Sequence, residues 1–158
     1  MTIATGDRFP DVTIKTNGPE GPEDLNTGDF LAGRKVVLFA VPGAFTPGCS
    51  NAHMPGFVVN ADKILAKGVD AIACLSVNDA FVMGAWQRDQ NADAITMLAD
   101  GNAELTQALG LEKDASSAGM GVRCQRFAMI VDDGVVKYLG IDAKGVEQSS
   151  AETVLAQL

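Results

Sequence analysis

The chain has 158 residues, 47% hydrophobic and 20% charged, with a net charge of −8. That length fits one domain, residues 1–158, with a buried core, and the acidity disfavours nucleic acid, whose phosphates require a basic surface. No apolar run approaches the roughly 20 residues of a membrane-spanning helix. The opening MTIATGDRFP lacks the basic-then-apolar pattern of a secretory signal, so a soluble protein of a reducing cytoplasm is expected, with no membrane partner.

In chain order, Thr16 to Gly28 reads as a loop, because Pro19, Gly21 and Pro22 fall among acids. Val36 to Val41 is a short, continuous apolar run ended by Pro and Gly, which predicts a buried strand. Thr46 to Lys67 carries Phe57, Val58, Ala61, Ile64 and Leu65 at helical spacing and stops at Gly68. Pro55 should kink that helix. A second buried strand spans Val69 to Val77, and a helix spans Asp79 to Gln90 with Asn78 or Asp79 as its cap. Ala94 to Leu98 reads as a strand and Ala103 to Leu109 as a helix closed by Gly110. Two strands, Phe127–Val131 and Val135–Leu139, flank the hairpin signal Asp132-Asp133-Gly134, and Ala151 to Gln157 forms a last helix. Buried strands alternating with helices predict an α/β fold with a mixed sheet.

Chemistry concentrates at Cys49. Thr46 is a good N-cap and Pro47 suits the first helical position, where its missing N–H costs nothing. Cys49 is then the third helical residue, with a backbone N–H that the Thr46 hydroxyl is able to cap. Its sulfur faces the positive end of the helix dipole, which favours the reactive thiolate. The three cysteines include no CxxC pair, so neither a disulfide framework nor a general disulfide oxidoreductase is favoured.

The run Pro42-x-x-x-Thr46-x-x-Cys49 resembles the active-site signature of the peroxiredoxins. The longer Pro-Gly-Ala-Phe-Thr-Pro-Gly-Cys-Ser, followed by His53-Met-Pro-Gly-Phe57, resembles their type-5 (type II) branch. Residues 73–82 with Trp86, then 121–127, then 132–137 resemble the same family in the same order. The resemblance implies a thioredoxin-like α/β fold, a central mixed sheet flanked by helices, and a thiol peroxidase acting on hydrogen peroxide and alkyl hydroperoxides. It implies no metal or other cofactor. In the family, a threonine matching Thr46 bonds the sulfur and the peroxide, and a proline matching Pro42 shields the site. A distant arginine, matching Arg126, stabilises the thiolate, with Arg123 as the nearby competitor. Gly48, His53 and Phe45 are expected in the pocket. Phe45, Phe81 and Trp86 suggest a homodimer contact.

His53 is the sole histidine, four residues after Cys49 and on the same helical face. A protease dyad is disfavoured for want of an orienting third group, and a zinc site for want of further ligands. A phosphatase loop is excluded because position 55 is proline rather than arginine. His53 is therefore expected to support the pocket wall, bonding backbone. Cys74 reads as an inert core thiol, although a resolving role has been proposed in plant-like relatives, and Cys124 as incidental. The cysteine that animal type-5 members carry near Glu147-Gln-Ser-Ser150 is absent. This favours a one-cysteine cycle, recycled by glutathione with glutaredoxin or by thioredoxin. The competing class is a redoxin-fold binding or chaperone module without turnover.

Overall fold

The computed structural model describes residues 1–158 and contains nine strands. They are β1 (Thr13–Gly18), β2 (Gly21–Asn26), β3 (Lys35–Ala40), β4 (Ala71–Ser76), β5 (Ile95–Ala99), β6 (Glu112–Asp114), β7 (Val122–Cys124), β8 (Arg126–Asp132) and β9 (Val135–Asp142). Seven of them make one mixed sheet in the order β2-β1-β5-β4-β3-β8-β9, while β6 and β7 pair with each other. The helices are α1 (Thr27–Leu31), α2 (Met54–Leu65), α3 (Ala80–Asp89), α4 (Glu104–Leu109) and α5 (Ala151–Ala156). This is the thioredoxin-like α/β architecture.

The central strands β3, β4 and β5 run parallel, and β8 pairs antiparallel with β3. Parallel strands require crossovers, which α2 and α3 supply, and the sheet is covered on both faces. That is why β3 and β4 read as unbroken apolar runs. Alternate residues feed two cores. Val37, Phe39, Ile72, Cys74, Ile95 and Met97 share one core with Phe57, Ala61 and Ile64 of α2 and Met83 and Trp86 of α3. Val36, Leu38, Ala73 and Leu75 face the other, with Leu31, Leu105 and Leu109. Each such large apolar side chain contributes about 1.5–3 kcal/mol on burial.

Two segments differ from the sequence-based expectation. Thr16 to Gly28 is a hairpin leading into α1, not a loop, with register from Thr13↔Asn26 to Gly18↔Gly21. Its β2 is an edge strand, where Pro22 forfeits little and the exposed Glu23 and Asp24 guard against further pairing. Composition typical of a loop is also composition typical of an edge. The β6–β7 ribbon had no sequence signal, since β6 is three exposed residues, Glu112-Lys-Asp114.

Helical backbone begins at Pro47, but Cys49–His53 forms a π turn before α2, with Met54 N–H bonded to the Cys49 carbonyl. Pro55 supplies the reason. It lacks an N–H, and its ring would collide with the carbonyl of Asn51 in a regular α ladder. The distortion expected at Pro55 takes the form of this widened turn, and it falls on the candidate site.

Candidate active site

The site lies where β3 runs out into the turn before α2. Val41 is pinned on both sides: its N–H donates to Leu75 O at 3.0 Å, and its carbonyl accepts from Cys124 Sγ at 3.0 Å. Asn78, just past β4, accepts from Ala44 N at 3.0 Å and from Ser76 Oγ at 2.6 Å. Phe45, directly after the anchored Ala44, has φ +66°, an uncommon conformation for a bulky residue. Asp79, the other candidate cap, caps α3 by accepting from Val82 N at 2.8 Å.

The Thr46 hydroxyl does not cap the Cys49 N–H. It donates to Gly43 O at 2.7 Å, closing the turn, while Ser50 N–H takes the Thr46 carbonyl at 2.9 Å. With its proton committed to Gly43, the hydroxyl has only lone pairs left to offer a further partner.

Cys49 Sγ is buried and accepts from Arg126 Nη2 at 3.2 Å. The sheet makes this meeting possible. Phe127 pairs with Ala40 across β8 and β3, so the first residue of β8 arrives beside the turn that follows β3. Gly48 leaves room for the guanidinium, since a Cβ there would lie 3.3 Å from Nη2. Arg123 is engaged elsewhere, its Nε donating to Met120 O at 2.9 Å.

The other arm of the guanidinium, Nη1, donates to His53 Nδ1 at 2.8 Å, and His53 Nε2 lies 2.8 Å from Ser149 O. These partners fix the tautomer. A carbonyl only accepts, so Nε2 carries the proton; an arginine only donates, so Nδ1 is bare. The ring is held by Phe39 and Phe57, with centroids at 5.0 and 5.6 Å. Burial lowers its pKa from 6.5 to about 4; the Ser149 carbonyl opposes this and the Arg126 charge adds to it. His53 is therefore neutral at ordinary pH. It does bond backbone, as its sequence context suggests, and it also seats Arg126.

Cys74 sits inside β4 between Phe39 and Met97, wholly buried, and burial pushes its thiol pKa up. Cys124 is equally buried and pushed up to about 12, by desolvation first and by the charge of Asp100 next. Pro42 and Arg126 line a depression of about 270 Å³ with Lys113 and Gln125. A larger depression of about 440 Å³, over Lys15, Asp79 and Phe81, contains no thiol and no arginine. Phe45 and Phe81 are exposed, but Trp86 is not a surface residue as the sequence suggested. It faces the core, and its indole N–H donates to Ser50 Oγ at 3.0 Å, bracing the residue after Cys49. Ser149 and Ser50 carried no functional signal in the sequence, because backbone carbonyls and long-range hydroxyl contacts leave no local pattern.

A thiol that accepts from a fixed guanidinium suits attack by sulfur on an electrophile whose leaving group gains negative charge. Residues 4–155 match the Redoxin family. Peroxiredoxin-2E-2 of Oryza sativa subsp. japonica, a chloroplastic protein, is 52% identical over 99% of this chain and 73% of its own length. Reduced Prx3 of Vibrio vulnificus, solved in complex with hydrogen peroxide, is 55% identical and superposes with a TM-score of 0.95 over 98% of both chains. Peroxiredoxin 5 of Alvinella pompejana is 36% identical, with a TM-score of 0.86 over 98% of this chain and 97% of its own. The chain belongs to the thioredoxin-like Redoxin family. Within that family it is a peroxiredoxin, a thiol peroxidase.

Proposed function

We propose that Cys49 is the peroxidatic residue and that the protein, a member of the type-5 (type II) branch, runs a one-cysteine cycle. The Cys49 thiolate attacks the nearer oxygen of hydrogen peroxide or an alkyl hydroperoxide and breaks the O–O bond. The departing oxygen takes a proton and leaves as water or alcohol. Sulfur is oxidised by two electrons to a sulfenic acid. An external thiol then condenses with the sulfenic acid, releasing water and forming a mixed disulfide, and a second thiol frees Cys49. Arg126 steadies the charge on sulfur and the departing oxygen, the Thr46 hydroxyl accepts a hydrogen bond from the peroxide O–H, and Pro42 with Gly48, Phe45 and His53 frames the pocket.

The observation that carries this reading is Arg126 Nη2 at 3.2 Å from the Cys49 sulfur. The one-cysteine form is supported by the place of Cys74 within β4, by the bond of Cys124 Sγ to Val41 O, and by Glu147-Gln-Ser-Ser150, which holds no cysteine. The reductant is glutathione with glutaredoxin, or thioredoxin, in a reducing compartment such as the cytoplasm. Phe45 and Phe81, 51% and 72% exposed, are the apolar groups on which we rest a homodimer.

The test is to oxidise reduced protein with one equivalent of peroxide, offer each reductant in turn, and locate the adduct by mass. A mixed disulfide on Cys49 supports the cycle, and an internal Cys49–Cys74 disulfide would replace it with a two-cysteine cycle. Absence of peroxide consumption with any thiol would leave the binding or chaperone module.

A further inference from the structure

Asp142, the last residue of β9, stands directly across the strand pair from Arg126. An aspartate opposite an arginine is the ordinary setting for an ion pair, yet the one salt bridge in the molecule joins Lys15 and Asp24. Asp142 is occupied otherwise. Its Oδ2 accepts from Glu147 N at 3.0 Å, Ser149 N at 2.9 Å and Ser149 Oγ at 2.6 Å, and its Oδ1 accepts from Gln148 N at 3.0 Å. Partial burial raises its pKa, but these donors outweigh that and hold it below the ordinary carboxylate value.

The segment so gathered, residues 147–149, ends at the carbonyl that receives His53 Nε2. Tyr138, on β9 itself, also braces it, its hydroxyl donating to Gln148 O at 2.7 Å. Gly140 lies so close that a Cβ there would come within 2.3 Å of the same carbonyl. The connection is continuous: the Asp142 carboxylate holds Ser149, Ser149 O holds His53 in one tautomer, His53 Nδ1 holds Arg126, and Arg126 reaches Cys49.

We infer that Asp142 is a positioning residue for the Cys49 reaction, acting through Ser149 and His53 to aim Arg126 at the sulfur. The same contacts keep the carboxylate from taking the guanidinium for itself. Asp142 thus serves twice: it builds the wall that orients Arg126 and leaves that cation free for sulfur. The inference rests on the proposed peroxidase reading. If Ser149 O shifts, His53 loses the acceptor that fixes its proton on Nε2, and the guanidinium loses its second anchor. A misplacement of this kind costs roughly ten- to a hundredfold in rate.

The experiment compares wild type, Asp142→Asn, Asp142→Ala and Ser149→Ala as full-length reduced protein. Two quantities are followed: the peroxide reaction rate and the pH profile of the ultraviolet thiolate absorbance. Asp142→Asn keeps the side-chain shape but sets an NH2 among N–H donors. It should slow the peroxide reaction by roughly tenfold or more and move the thiolate profile to higher pH. Ser149→Ala, which keeps the backbone carbonyl, should show a smaller change in the same direction. In an Arg126→Ala background, adding Asp142→Asn should change neither quantity further, since the group through which it acts is gone. A loss of thermal stability with unchanged rate and profile would overturn the inference, as would full additivity with Arg126→Ala. Should Asp142→Ala fail to fold, Asp142→Asn and Ser149→Ala still decide the matter. The thiolate profile requires no peroxide, so an inactive wild type would sink the peroxidase reading while leaving the positioning test readable.

Discussion

Cys49 and Cys74 are both wholly buried and belong to the same apolar core, so exposure does not distinguish them. Their partners do. Cys74 lies between Phe39 and Met97 in the middle of a strand, where desolvation pushes the thiol pKa up and outweighs the opposing charge of Arg126. Cys49 lies at a widened helix start with a guanidinium donor 3.2 Å from its sulfur. Burial disfavours a thiolate in water-excluded surroundings unless a cation or donor answers it. The reactivity proposed for Cys49 rests on what touches the sulfur, not on how much of it reaches solvent.

The sharpest way to break this comparison is to remove each sulfur. Cys49→Ser should abolish peroxide consumption while circular dichroism and melting stay close to wild type, because a hydroxyl is far less nucleophilic than a thiolate. Turnover retained in that variant would move the chemistry to another cysteine. Next in size is Arg126→Ala. Losing one preorganised donor in a dry site costs on the order of a hundredfold in rate, or ~3 kcal/mol. Arg123→Ala should do much less, since Arg123 bonds Met120 O rather than sulfur. Peroxide rates for the two variants, measured side by side, decide between the arginines; a larger loss in Arg123→Ala would reverse the assignment.

A third expectation concerns acid. His53 is held at about 4 in the fold, against 6.5 in the open chain, so the unfolded state binds its proton first. Stability is therefore fully present above pH 6.5 and declines as pH falls toward about 4, by about 3 kcal/mol at most. Asp142, whose pKa is lowered from 3.8, acts below that window and does not account for the loss. Urea unfolding across the window should show the decline in wild type and a flatter profile in His53→Gln.

Much of this was legible from residues. The apolar runs of β3 and β4 are continuous because the sheet is covered on both faces, and Asp133-Gly134 takes positive φ as a tight hairpin demands. The position of Cys49 near a helix start was readable from Thr46 and Pro47. The π turn was only half readable, since Pro55 announces a disturbance but not its form. Trp86 was misjudged because a large aromatic on an amphipathic helix reads alike whichever face it takes. Asp142 and Ser149 were invisible: their effect on Arg126 passes through a backbone carbonyl, and any residue type supplies one of those.

The smallest expected effects separate the two remaining thiols, Cys74 and Cys124. Cys124 Sγ donates to Val41 O, a bond that a serine hydroxyl is able to reproduce at nearly the same place. Cys74 has apolar neighbours on both flanking strands, Phe39 and Met97, so a hydroxyl there is desolvated with no partner of that kind. Cys74→Ser should lose roughly 1–3 kcal/mol of stability, the cost of burying an unsatisfied polar group. Cys124→Ser should lose less. Both should keep most of their peroxide turnover with glutathione and glutaredoxin, because neither sulfur contacts Cys49 or Arg126 by a hydrogen bond. The measurement is a paired one, melting temperature against steady-state rate. A stable Cys74→Ser protein that accumulates sulfenic acid would mean that the thiol in β4 reaches Cys49 through local unfolding of the strand or helix between them. The contrast between the two buried sulfurs would then hold for the resting fold alone.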